Sequence, residues 1–190
     1  MPRTAGSARH LSARAALAAT CLAAAVAATG PLAPAWAQGV GRVEVKQYED
    51  GSVYEGTFKD GLPHGQGTLR LPSGYEYSGA WVDGEILGQG LARFPDGSTY
   101  EGGFVDGRPD GFGRITYADG GSYEGAWVAG ARTGPGVAVY PDGSRYEGGF
   151  VDGAPQGQGV LTAPNGYRYE GGWLAGAKHG RGTITYPDGS

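Results

Sequence analysis

The sequence predicts an all-β fold: an elongated single antiparallel sheet of six successive 23-residue β-hairpin repeats. Three observations lead there. A Tyr-Glu-Gly tripeptide recurs at a fixed interval of 23 residues, at Tyr54, Tyr77 (with Ser78 in place of Glu), Tyr100, Tyr123, Tyr146 and Tyr169. Within each unit, apolar and polar residues alternate in two short runs, the period of a strand with two unlike faces. A Pro-Asp-Gly type of turn then closes the unit. An uninterrupted period of this kind marks an array whose units bury their apolar faces only against their neighbours.

Residues 1–37 stand apart. Arg3, Arg9 and Arg14 make a basic start, an Ala-rich apolar run follows from Ala15 to Ala28, Pro31 and Pro34 break it, and Ala35-Trp36-Ala37 closes it. This is the order of a secretory signal peptide, with cleavage expected between Ala37 and Gln38. The run is shorter than the roughly 20 apolar residues of a spanning helix. Thr20, ahead of Cys21, does not suit a lipoprotein site. Cleavage removes three arginines and so takes the formal net charge from −4 to −7. It also removes Cys21, the one cysteine. What remains suits an oxidising compartment without disulfides, periplasmic or secreted.

The next elements follow in order. Val43 to Tyr48, with Asp50-Gly51 after it, matches the second half of a repeat without its Gly-x-Gly opening, so residues 38–53 are expected to supply an N-terminal capping strand. Six units then occupy 54–76, 77–99, 100–122, 123–145, 146–168 and 169–190. In the first, Tyr54, Gly56 and Phe58 share one strand face. Lys59 to His64 is expected to be a polar connection, and Gly65-Gln66-Gly67 to open the second strand through Leu71. Linking turns such as Pro95-Asp96-Gly97 and Pro141-Asp142-Gly143 suit a type I turn closing into a Gly bulge. The single turn aspartates lack the clustered oxygens of a calcium site, and no metal or cofactor is expected.

Four residues after each Tyr comes a second ring. The pairs Tyr54/Phe58, Tyr77/Trp81, Tyr100/Phe104, Tyr123/Trp127, Tyr146/Phe150 and Tyr169/Trp173 form a column on one face, with a glycine inside each pair. This column is expected to be core or an aromatic binding groove. Leu69, Ile115, Leu161 and Ile184 on the second strands add to it. Thr183, Ile184, Thr185 and Tyr186 are expected on an uncovered sheet edge, a place for pairing with a second copy into a homodimer.

The run Tyr123-Glu124-Gly125-Ala126-Trp127-Val128-Ala129-Gly130, then Gly134-Pro135-Gly136, resembles the MORN repeat (membrane occupation and recognition nexus). Tyr169-Glu170-Gly171-Gly172-Trp173-Leu174-Ala175-Gly176, then Gly180-Arg181-Gly182, resembles it as closely. The resemblance covers Tyr54 to Ser190. It implies an elongated sheet of successive hairpins with a ring-lined groove, and roles in protein interaction, scaffolding and dimerisation. Lipid binding has also been proposed for the family.

Charge and motif content narrow the function. A net charge of −7 after cleavage, with no common basic character among the loops, disfavours nucleic acid and anionic lipid. Beyond the signal peptide the histidines are His64 and His179, five units apart, so a two-histidine metal site is implausible. No kinase or Walker set is present. Glu55, Glu101, Glu124, Glu147 and Glu170 form a ladder about 10 Å apart, outside the roughly 5–5.5 Å of a retaining glycosidase pair. They come close to inverting spacing, yet every unit carries much the same arrangement. The expectation is a non-catalytic, exported module for protein interaction or scaffolding that self-associates, its protein partner unidentified. The alternative is a module binding membrane or phosphoinositide lipid.

Overall fold

The computed structural model describes residues 41–190. The expected signal peptide and its expected cleavage between Ala37 and Gln38 lie outside these residues. The described chain forms one open antiparallel sheet of 13 strands in sequence order, with no helix among the described residues. β1 (Val43–Gln47) pairs with β2 (Val53–Lys59), and each strand from β2 to β12 pairs with the strands before and after it in sequence. The six units contribute β2 and β3 (Leu62–Arg70), β4 (Glu76–Val82) and β5 (Glu85–Arg93), β6 (Thr99–Val105) and β7 (Arg108–Thr116), β8 (Ser122–Val128) and β9 (Ala131–Val139), β10 (Arg145–Val151) and β11 (Ala154–Thr162), and β12 (Arg168–Leu174) and β13 (Ala177–Thr185).

The linking turns are those the sequence specifies. In the second, the Gly97 N–H donates to the Phe94 carbonyl at 3.0 Å and the Phe94 N–H to the Ser98 carbonyl at 2.9 Å. Gly97 takes φ +88°. This is a type I turn closed by a Gly bulge. The Asp96 carboxylate accepts from the Ser98 N–H at 2.8 Å. Asp50, Asp119, Asp142 and Asp188 bond the residue two places on in the same way.

The other turn differs from the expectation. The polar connection from Lys59 to His64 shrinks to two residues, Asp60 and Gly61, because β3 begins at Leu62. Both turn residues have positive φ, 51° and 78°, which is a type I′ turn. Its twist matches that of the flanking strands, so the hairpin closes at once. The register then absorbs the surplus. Gly56 faces Gly67 and Phe58 faces Pro63, leaving Thr57 opposite three residues, His64 to Gln66. A bulge at the same place recurs in all six units.

The turn chemistry explains a position that local rules do not. Ala129 and Ala175 occupy the left-handed region at φ 49° and 48°, where the other four units have Asp. A Cβ-bearing residue there costs about 1 kcal/mol or more. Ala129→Gly should therefore stabilise the fold by about 0.5–1 kcal/mol, read as a higher midpoint in urea with an unchanged slope. Gly113→Ala should do the reverse. Its Cβ would enter the Tyr100 ring, at about 1–3 kcal/mol or more.

Candidate functional site

The six Tyr rings lie flat over paired glycines. A Cβ built on Gly67, Gly90, Gly113, Gly136, Gly159 or Gly182 would collide with the ring of the Tyr in the same unit. Each Tyr hydroxyl donates to the carbonyl three residues on, at Thr57, Ala80, Gly103, Ala126, Gly149 and Gly172, at 3.0–3.1 Å. Those carbonyls sit at the bulge, where ladder pairing is interrupted. The ring thus fills the space left by glycine while its hydroxyl satisfies a group left by the bulge.

The second rings join the Tyr rings into one continuous ladder. Tyr54 meets Phe58 of its own unit and Trp81 of the next, Tyr77 meets Trp81 and Phe104, and the alternation runs on to Tyr169 and Trp173. Along it, ring centroids stand 4.8–5.6 Å apart, near perpendicular. The indole N–H of Trp81, Trp127 and Trp173 reaches back to the carbonyl of Gly67, Gly113 and Gly159. Of the twelve sequence-nominated rings, eleven are 8 % exposed or less, and Phe58 is half-buried. They form the core, and their flat faces are not open to a ligand. Ala92 and Ala138 are buried beside them, while Leu69, Ile115 and Leu161 are partly buried against them. Arg132 and Lys178 lay their charged groups over ring faces at 4.6–5.8 Å.

A second period, of 46 residues, overlies the first. Phe58, Phe104 and Phe150 alternate with Trp81, Trp127 and Trp173, and Ser52, Ser98 and Ser144 are buried at the same interval. At every second type I′ turn a side chain caps the left-handed residue. His64 Nδ1 accepts from the Asp83 N–H, Asp110 from the Ala129 N–H and Gln156 from the Ala175 N–H.

Burial also shifts the Tyr hydroxyls. Loss of hydration pushes Tyr54, Tyr77 and Tyr100 up to about 12. The neighbouring Asp110 charge adds to the effect at Tyr100. Tyr123 and Tyr146 are raised for the same first reason.

What remains exposed lies elsewhere. β13 is exposed along its whole length and, among the described residues, has a partner on one side only. Tyr186 N–H points to the free side, where it meets the Ser190 carbonyl at 3.0 Å. Strand alternation puts the Ile184 N–H on that same side, and those of Thr183 and Thr185 toward β12. A stripe of exposed aliphatics crosses the strands beside the type I′ turns: Val82, Val105, Val128, Val151 and Leu174, 39–58 % exposed.

Sequence reasoning missed a further feature on the face opposite the rings. There the residue between the paired glycines is Gln66, Gln89, Gln158 or Arg181 in four units, but Phe112 and Pro135 in the third and fourth. Phe112 is 67 % exposed. With Pro135, Val137 and Val139 it forms the apolar part of a groove of about 700 Å³, closed at its ends by Arg114 and Glu124, and by Arg145 and Glu147. Reading the six units column by column would have found it, since Val137 and Val139 replace Thr68 and Arg70 of the first unit.

A family model of the MORN repeat matches residues 54–74, 77–99, 100–122, 123–145, 146–166 and 169–190. Alsin of Rattus norvegicus is 40 % identical over 52 residues, which are 25 % of this chain and 3 % of Alsin. Among solved structures, the TCP10 domain of Danio rerio CPAP bound to a STIL peptide aligns at a TM-score of 0.46 and 17 % identity, over 75 % of this chain and 62 % of that one. The SAS-4 TCP domain of Drosophila melanogaster, bound to a proline-rich motif of Ana2, aligns at 0.43 and 13 % identity, over 85 % and 95 %.

Two outcomes follow from the ring ladder. Trp127→Ala should cost about 3–5 kcal/mol. Trp127→Phe should cost less, since it keeps a ring and loses the bond to Gly113, worth about 1 kcal/mol; urea titration of both variants checks the order. The Tyr hydroxyls ionise at about 10 in the unfolded chain and at about 12 in the sheet. The stability they lend is therefore complete below pH 10 and declines between 10 and 12. Tyrosinate absorbance and loss of β circular dichroism should rise together across that window.

Proposed function

Because the chain belongs to the MORN-repeat family, matched over all six units, we propose that it is a non-catalytic, exported module that binds or scaffolds protein and associates with itself. The carrying observation is how the residues divide. The rings that define the repeat are buried in the ladder, whereas on the opposite face the residue between the two glycines of each second strand changes from Gln to Phe, Pro or Arg. A catalytic site needs one constellation unlike its surroundings. Here the Glu ladder repeats without one, and the turn aspartates are held by the backbone.

Self-association is proposed at the β13 edge, where Ile184 turns its main-chain N–H to the uncovered side while that of Tyr186 is taken by Ser190. Export is proposed from the order of residues 1–37 alone. Membrane binding is kept as a second reading, favoured by the exposed Val82–Leu174 stripe. Asp83, Asp106 and Asp152 in the adjacent turns oppose an anionic surface, so neutral lipid would be its target.

Light scattering after size exclusion tests the edge, with Ile184→Pro beside the unaltered chain. Proline at 184 removes an outward N–H and leaves the bonds of Thr183 and Thr185 to β12. A lower average molar mass for Ile184→Pro, with β circular dichroism retained, is the expected result, and equal molar mass for both chains would remove the edge from the proposal. Co-sedimentation with zwitterionic vesicles, lost in Val128→Asp/Val151→Asp, would favour the membrane reading instead.

A further inference from the structure

We propose that a second copy of this chain covers the Phe112–Val139 groove, packed face to face about a two-fold axis that runs across the strands. The inference shares with the proposed function the premise of self-association but sets it on a different surface.

The groove breaks the pattern of its own array. Four units place Gln or Arg where Phe112 and Pro135 stand. The ring ladder needs no apolar residue on this face, since its core lies on the other one. An exposed apolar groove between charged ends is the form of an interface rather than of a sheet's solvent face.

Register identifies the occupant. On this face two rows cross the strands. One holds Glu124, Val137 and Glu147, and the other Ser122, Val139 and Arg145. A two-fold axis between the rows sets each residue over the other row's residue of the same strand in the second copy. Val137 then lies over Val139, Glu147 over Arg145, and Glu124 over Ser122. No like charges meet. An axis along β9 would instead set Glu124 over Glu147, two carboxylates. The groove ends are electrically neutral pairs, Arg145–Glu147 at 2.7 Å and Arg114–Glu124 at 3.8 Å, so they match their own copy better than a partner of one charge sign. Facing sheets stand about 10 Å apart, a gap that apposed Val side chains fill.

The test uses charge exchange and sedimentation equilibrium on the full chain with Ile184→Pro as the common background, so that the edge contributes nothing and the chain otherwise unaltered is the reference. Arg145→Glu gives a surface with two carboxylates at this place, and Glu147→Arg one with two cations. Each variant alone should dimerise at least about tenfold more weakly than the reference chain. Mixed in equal amounts they should dimerise as the reference chain does, because each now presents what the other lacks. Both side chains are about half exposed, and recovery in the mixture itself shows that both folds are intact. A monomer at every concentration for the reference chain, single variants that dimerise normally, or a mixture that stays monomeric would each overturn the inference. A dimer that forms only when Ile184 is restored would leave the proposed edge association standing and the face interface refuted.

Discussion

A tyrosine laid across two facing glycines is the contact on which the molecule rests. The glycines bring two strands so close that no side chain fits between their α-carbons. The ring takes the vacated space, and its hydroxyl bonds the carbonyl that the bulge has released. The three parts depend on one another. Without glycine the ring cannot lie down, without the bulge the hydroxyl has no acceptor, and without the ring the bulge leaves a polar group unpaired. A single sheet usually needs a second layer to cover its apolar face. Here the rings cover one another edge to face, so one layer builds its own core.

Stability in such a ladder is close to a sum over neighbours. Each Tyr from Tyr54 to Tyr146 touches one ring of its own unit and one of the next, so loss of one such ring loosens two joints and spares distant units. The surface charges add little to this sum. Arg70 bridges Glu55 and Glu76, and Arg168 lies 2.6 Å from Glu170, yet these side chains are about a third to three-fifths exposed. Exposed pairs of this kind are worth about 0–1 kcal/mol each.

Much of this was legible in the sequence, because the strongest local rules agree with the fold. The Pro-Asp-Gly turns, the Tyr–ring column and the antiparallel order needed only spacing and turn chemistry. The misjudged connection after Lys59 had a readable signal, since Asp60-Gly61 is a hairpin dipeptide. It was obscured because Gly65-Gln66-Gly67 looks like a strand opening, whereas a bulge uses those glycines inside a strand that has already begun. Edge-to-face burial of the rings could not be read from alternation, which assigns a face without saying whether anything covers it. The groove at Phe112 was hidden for a different reason. A repeat is recognised by what its copies share, and Phe112, Pro135 and Val139 each stand in one copy alone.

The alternation of Phe and Trp sets the step in which such a chain can change length. Between neighbouring units every Tyr ring stands between one phenyl and one indole. Inserting a single hairpin would put two rings of the same kind around one Tyr and move a capping side chain off its turn. Inserting a pair of hairpins would preserve both. Growth and loss by unequal exchange should therefore be counted in pairs of units, and the gene segment to duplicate is the 46-residue one.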